Sequence, residues 1–206
     1  MITHIIGIDE AGRGPLAGPV AIGVVKVHKD HEKKIQRLVK EIKGKDSKKL
    51  SPIQREFWFE KIKEWKKEGV LDFHAALVSN VYIDTKGISS AIKTGMKKCL
   101  DKVNKEKGIN FFENCFIKLD GSLKAPAAFV NQKTIIKGDE KEWIISLASI
   151  AAKVTRDAHM KKLSRKYKEY GFEVHKGYGT KVHRELIVKY GISAVHRRSF
   201  LRFLNK

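Results

Sequence analysis

Two apolar runs rich in β-branched residues, THIIGID (residues 3–9) and PVAIGVVKVH (residues 19–28), are joined by the nine residues EAGRGPLAG. Runs of this kind suit a pleated, half-buried backbone, and the glycines between them supply the turn. The chain must therefore accommodate strand, glycine loop and strand at the start of a sheet. The loop cannot be a dinucleotide fingerprint. Its glycine spacing departs from G-x-G-x-x-G, and a strand rather than a helix follows, so no helix N-terminus waits for a pyrophosphate.

Further along, residues 30–50 are charged and read as a helix. Ser51 then has the character of an N-cap, with Pro52 at the first helical position of PIQREFWFEKIKEWKKEG. Trp58, Ile62 and Trp65 form an apolar stripe at helical spacing, and Gly69 closes the segment. VLDFHAALVS reads as a third strand. A long amphipathic helix is expected from Thr85 to Lys107, and FIKLDG and KTIIKGD as short strands. The segment EWIISLASIAAKVTRDAHMKKLSRKYKEYG is a helix whose first half is apolar on most sides and hence buried. Alternation of strands and helices predicts an α/β sheet beginning with a two-stranded meander.

The chain has 206 residues, of which 42% are hydrophobic, enough to bury the core of one substantial domain. Cys99 and Cys115 show no C-x-x-C spacing and read as free thiols of a reducing compartment. Asp9 and Glu10 come too early for a signal peptide, and no uncharged run approaches membrane-spanning length. A soluble, cytoplasmic, monomeric protein is expected.

Charge narrows the function. The formal net charge is +20, and residues 161–206 carry 13 Lys and Arg against three Glu and no Asp. A basic face gains counterion-release free energy on meeting phosphates, so nucleic acid is the expected partner. Within this basic chain, acids occupy chosen places. Asp9 and Glu10 end the first run, Asp120 ends FIKLD, and Asp139 ends TIIKGD. Ligand sites of α/β sheets lie at the carboxyl ends of strands. Carboxylates converging there repel unless neutralised, and hard oxygen donors favour Mg²⁺ or Mn²⁺. Consecutive strand residues face opposite ways, so for both Asp9 and Glu10 to serve one site the strand must end there. The alternative for Glu10 is a surface pair with Arg13. Acids that hold cations, beside a Gly-Arg-Gly loop open to a nucleic-acid backbone, suggest two-metal phosphodiester hydrolysis.

The blocks GIDEAGRGPLAGPV, DSKKLS, LDG, KGD, ASIAAKVTRD, HKGYGT and HRRSF, in that order from Gly7 to Phe200, closely resemble bacterial ribonuclease HII, the type 2 ribonuclease H. The resemblance implies an RNase H-like mixed β-sheet flanked by helices, in a single catalytic domain over residues 1–206. Residues from about 169 to 206 would form a small basic helical appendage that binds substrate. It implies an endonuclease that cuts the RNA strand of RNA/DNA hybrids and incises 5′ of single ribonucleotides in duplex DNA, leaving 3′-hydroxyl and 5′-phosphate ends. The family's metal-binding carboxylates fall on Asp9, Glu10, Asp120 and Asp139. Its Gly-Arg-Gly motif falls on Gly12, Arg13 and Gly14, and its ribonucleotide-sensing tyrosine on Tyr178. Ser47, Lys48 and Lys49 resemble a backbone-phosphate contact, and Arg197 and Arg198 are further candidates for phosphate.

Asp157 lies four residues from both Lys153 and Lys161 and reads as part of an ion-paired helix surface. Of the histidines, His175 stands nearest the expected cleft, with a structural role as its default. A noncatalytic basic module and a junction resolvase of the same fold are the competing readings. The related ribonuclease HIII type carries an extra N-terminal domain and a different glycine motif, so the HII type fits better.

Overall fold

The computed structural model describes residues 1–43, 50–104 and 111–205. Ser47, Lys48 and Lys49 lie outside the described residues. Among those described, a five-stranded sheet has the order β3-β2-β1-β4-β5. Strands β1 (His4–Ala11), β2 (Val20–His28) and β3 (Leu71–Val78) form an antiparallel meander, one strand longer than the sequence pattern suggests. Strands β4 (Cys115–Asp120) and β5 (Gln132–Ile135) extend it in parallel on the other side of β1.

The cap signals act where the sequence places them. Ser51 accepts from the Gln54 N–H in a capping box, with Pro52 opening α2 (Pro52–Lys67) and Trp58, Ile62 and Trp65 buried. The charged run before it forms α1 (Lys29–Lys43). The long helix expected from Thr85 to Lys107 is two: α3 (Asn80–Lys86), capped by Ser79, and α4 (Ile88–Val103). Gly87, at φ +81°, breaks the run by adopting a backbone conformation that helical residues cannot. Helix α5 (Phe111–Asn114) leads into β4.

Helix α7 (Trp143–Lys166) crosses the sheet and is buried on nearly all sides from Trp143 to Ala152. The contact is unusually close because two strand residues lack a side chain. A Cβ on Gly7 would lie 2.3 Å from the Ile144 carbonyl oxygen, and one on Gly23 would lie 2.1 Å from that of Ala148. One core, including Ile6, Ile8, Val24, Met96 and Leu119, fills the α4 face of the sheet. A second, including Val25, Ile35, Trp58, Ile62 and Ile144, fills the α7 face.

Beyond α7 the chain forms α8 (Phe172–His175) and α9 (Lys181–Tyr190), followed by two short 3₁₀ turns. A third cluster joins this part to the glycine loop, packing Tyr170, Phe172, Ile187 and Leu201 on Leu16, Ala17 and Met160. Among the described residues no helix is long and apolar enough to cross a membrane.

Adding a methyl group at Gly23 forces backbone away from backbone, with no side chain able to yield. Gly23→Ala is expected to destabilise the protein by about 3 kcal/mol or more in urea unfolding. Gly14→Ala, with nothing within 4 Å of the new Cβ, is expected to leave the midpoint unchanged.

Candidate nucleic-acid-cleaving site

The acids collect where β1 outruns β4. The β1–β4 ladder stops at Ile8↔Leu119, whereas β1 continues against β2 through Glu10↔Ile22 and Ala11↔Ala21. The strand closes at Ala11, one residue beyond the acidic pair, so the pair lies at its carboxyl end. Asp9 and Glu10 act on one region, because each feels the charge of Asp120 across the opened edge.

Asp9 is 4% exposed, and its Oδ1 accepts the Glu10 N–H at 2.7 Å. Burial pushes its carboxyl up to about 8. The Ser149 hydroxyl on α7 partly offsets this, although no hydrogen bond joins the two, and the Glu10 and Asp120 charges add to the rise. Burial also raises Glu10, against the lowering effect of Arg13, whose guanidinium lies 3.6 Å away. The Glu10–Arg13 pair is thus made, but with Glu10 largely buried.

Asp120 ends β4, and its Oδ1 accepts the Gly138 N–H at 2.6 Å. That bond brings in Asp139, which sits on α6 (Gly138–Lys141) rather than at a strand end, and is 1% exposed. A strand stopping at Ile135 and a left-handed Lys137 (φ 55°) account for the difference. Among the described residues no three His, Cys, Asp or Glu side chains converge into a ready-made cation cage. The donor chemistry nevertheless fits a hard divalent cation. Asp9 and Glu10, whose proton affinity is raised by burial and by neighbouring acids, are stabilised when a cation replaces the proton.

The glycine loop beside the acids is clamped from beneath by two buried arginines. Arg197 is fully buried and donates to the carbonyls of Gly12 (2.7 Å), Arg13 (2.9 Å) and Gly18 (2.9 Å). Burial, and then the charge of Arg156, lowers its pKa to about 9. Arg156 of α7 donates to Pro19 (2.9 Å) and Ala17 (3.2 Å). Gly12 is at φ +87°, and a Cβ there would meet the Arg156 Nε at 1.9 Å. Turned outward, the Arg13 side chain is half exposed and Gly14 is open.

The expectation that Arg197 reaches phosphate is therefore corrected, since a tight loop with inward carbonyls needs internal donors. Arg198 is exposed, and its backbone N–H is held by Asp84. The expected ion pair between Asp157 and Lys161 is replaced by Lys161 with Glu56 at 3.2 Å.

Tyr178 is brought to the same loop. The Gly177 carbonyl accepts from the Leu16 N–H at 2.8 Å, the Leu16 carbonyl accepts from the Arg197 N–H at 2.7 Å, and Ala17 bridges His196. The Tyr178 ring is 49% exposed, with the Arg156 guanidinium 5.7 Å from its centroid. It is not a core tyrosine. Ser149, Arg156, His183 and His196 escape a reading of the sequence alone, whereas His175 stands out in it. The one available signal was Arg156, set between Ala152 and Met160 at helical spacing.

Arg197→Lys is expected to cost about 3 kcal/mol, because a single ammonium nitrogen cannot occupy the three places from which Nε, Nη1 and Nη2 each reach a different carbonyl. Arg198→Ala should change the unfolding midpoint little. Asp9 supplies a test with a defined sign. Its folded-state pKa lies above the unfolded value, so it destabilises the cation-free protein progressively from pH 4 to pH 8. With a chelator present, Asp9→Asn should be more stable than the parent at pH 8, by on the order of 5 kcal/mol, and nearly equal to it at pH 4. Mg²⁺ should raise the melting temperature of the parent more at pH 8 than at pH 5, and that of Asp9→Asn at neither.

The chain is similar to known proteins over nearly its whole length. The family model for ribonuclease HII matches residues 6–203. The ribonuclease HII of Clostridioides difficile (strain 630) is 45% identical over 200 residues, covering 97% of this chain and 70% of that protein. That of Caldicellulosiruptor bescii is 42% identical over 198 residues, covering 96% and 86%. The crystal structure of ribonuclease H2 from Pyrococcus horikoshii OT3 superposes with a TM-score of 0.69 at 30% identity, covering 98% of this chain and all of that one. Bst-RNase HIII in complex with Mn²⁺ shares the fold at 20% identity, with a TM-score of 0.66 over 92% of this chain and 63% of that one. With the match running through nearly every described element, the chain belongs to the ribonuclease HII family of endoribonucleases, which cut the RNA strand of RNA/DNA hybrids.

Proposed function

We propose that this enzyme cuts RNA/DNA hybrids and also incises 5′ of single ribonucleotides embedded in duplex DNA, by phosphodiester hydrolysis that leaves 3′-hydroxyl and 5′-phosphate ends. The observation that carries the reading is the joining of two half-sites. Mutually repelling acids (Asp9, Glu10 and Asp120, with Asp139 alongside) adjoin a glycine loop whose other end is bonded to the Tyr178 segment.

In this reading Asp9, Glu10, Asp120 and Asp139 hold Mg²⁺ or Mn²⁺, and a protein of the same fold, Bst-RNase HIII, has been crystallised in complex with Mn²⁺. Bound there, divalent cations supply Lewis acidity toward water and toward the leaving oxygen. The remaining work falls to the chain itself. Arg13 presents its guanidinium to the phosphate next to the ribonucleotide. Gly12 and Gly14 let the sugar approach main-chain groups, where a 2′-hydroxyl distinguishes RNA from DNA. Tyr178, half exposed, packs under that sugar. Ser47 and Lys48 are proposed to touch the DNA backbone further along, with Arg198 adding surface charge. Residues from about 169 to 206 act as the substrate-binding part of a single domain, and the enzyme works as a cytoplasmic monomer.

The test uses a labelled DNA duplex with one ribonucleotide, an RNA/DNA hybrid and an all-DNA control, each with Mg²⁺ or Mn²⁺. Cleavage 5′ of the ribonucleotide, abolished by chelation, is expected. Asp9→Ala and Asp120→Asn should each lower cleavage of both substrates by several orders of magnitude while sparing hybrid binding. Tyr178→Ala should lower single-ribonucleotide incision more than hybrid cleavage. Undiminished cleavage by Asp9→Ala would sink the cation assignment. Cutting of the all-DNA control would point to a different nuclease.

A further inference from the structure

Behind Tyr178 lies a cluster of three histidines that the cleavage chemistry does not use. His183 is fully buried and His196 is 1% exposed, and their Nε2 atoms are 3.2 Å apart. His183 Nδ1 lies 2.9 Å from the Tyr178 carbonyl oxygen. His196 Nδ1 accepts the Ser193 N–H at 3.0 Å and lies 2.8 Å from the Ser193 hydroxyl, which donates to the same bare nitrogen. His175 stacks on His183 with ring centroids 4.2 Å apart; its Nε2 lies 2.7 Å from the Tyr170 carbonyl oxygen, and its Nδ1 accepts the Gly177 N–H at 3.2 Å.

These partners leave one consistent assignment of protons. A carbonyl can only accept, so His183 carries its proton on Nδ1 and its Nε2 is bare. A backbone N–H can only donate, so His196 is bare on Nδ1 and carries its proton on Nε2. The chain therefore runs in one direction: Ser193 N–H to His196, His196 Nε2–H to His183, and His183 Nδ1–H to the Tyr178 carbonyl. Burial lowers both His183 and His196 to about 4, so the two imidazoles are neutral at neutral pH.

The consequence is a fully bonded backbone beneath a half-exposed ring. The Tyr178 carbonyl also accepts the Thr180 N–H at 2.8 Å, and the Tyr178 N–H donates to the His175 carbonyl at 2.9 Å. Gly177 is held through both its N–H and its carbonyl. Burying imidazoles carries a desolvation penalty that aliphatic residues of similar volume avoid. What the imidazoles add is direction, because a donor is aimed at one carbonyl.

We propose that His183 and His196 are positioning residues that hold Tyr178 in register with the glycine loop and so set discrimination for the ribonucleotide. The inference rests on Tyr178 being the ribonucleotide contact. It makes the hydrogen-bond chain, and not the ring alone, the determinant of specificity.

The experiment measures kcat/KM of the full chain on the single-ribonucleotide duplex and on the hybrid, for His183→Leu, His183→Asn, Tyr178→Ala and the double variant Tyr178→Ala/His183→Leu. His183→Leu should lower the ribonucleotide-to-hybrid ratio about tenfold or more. His183→Asn, whose amide nitrogen replaces Nδ1, should recover most of it. In the Tyr178→Ala background, His183→Leu should cause no further change in the ratio. Equal losses on both substrates, or an additional loss in the double variant, would overturn the proposal. If Tyr178→Ala alone leaves the ratio intact, the ribonucleotide-contact reading fails and the inference falls with it. If Tyr178→Ala lowers the ratio while His183→Leu does not, only the chain is refuted. Nitrogen-15 NMR of the unmutated protein gives a measurement independent of variant folding. It should show His183 as the Nδ1–H tautomer and His196 as the Nε2–H tautomer, and the opposite pair would overturn the proposal.

Discussion

The approach of α7 to bare strand backbone is the constraint from which the rest follows. Gly7 and Gly23 remove the side chains that normally keep a helix off a sheet, and the carbonyls of Ile144 and Ala148 occupy the space. Helix α7 then carries a series of contacts along the site. Ile145 adjoins Gly138, Ser149 acts on Asp9, and Ala152 packs with Ala11 and Ala21. Arg156 lies under Gly12, and Met160 under Gly18 and Gly177. Seven residues separate Ser149 from Arg156, about 10 Å along the helix axis. That length sets the spacing between the acids and the loop proposed to hold the substrate backbone.

This arrangement puts stability and function in opposition at one residue. A carboxylate buried against a helix and flanked by other acids is poorly placed in the absence of a cation, and the raised proton affinity of Asp9 expresses that strain. The arginine clamp differs in kind. Arg197 and Arg156 are cations in a strongly basic protein, but their charge is directed at main-chain carbonyls and is unavailable to a polyanion. Net charge attracts nucleic acid, whereas loop geometry determines where it rests.

Much of this was legible in the residues. β-Branched apolar runs located β1 and β2, and Ser51 with Pro52 located the start of α2. Acids at strand ends, with ordered motif blocks, marked Asp9, Glu10 and Asp120. Other features depend on contacts between distant segments and were not legible. Gly87 looked like one more residue of a helix, although its backbone ends one. Asp139 looked strand-terminal because the pattern could not show that β5 is only four residues long. Arg197 looked like a phosphate ligand because sequence does not reveal that three carbonyls of the loop from Gly12 to Gly18 point inward. His183 and His196 carried no signal, since their meaning lies in a contact between α9 and the segment after it.

A helix used as a spacer has a rotational phase as well as a length. Each residue advances the chain by about 1.5 Å and turns it by about 100°. A single insertion between Ala148 and Arg156 would therefore do more than lengthen the gap between acids and loop. It would swing the guanidinium out from beneath Gly12 while Ile144 and Ala148 stayed seated on the strands. Point substitutions on this segment can be absorbed one contact at a time, but a change in its length cannot. The acid cluster and the loop are thus two halves of a single indexed part, and a chain of this design can vary the length of its connections only outside that span.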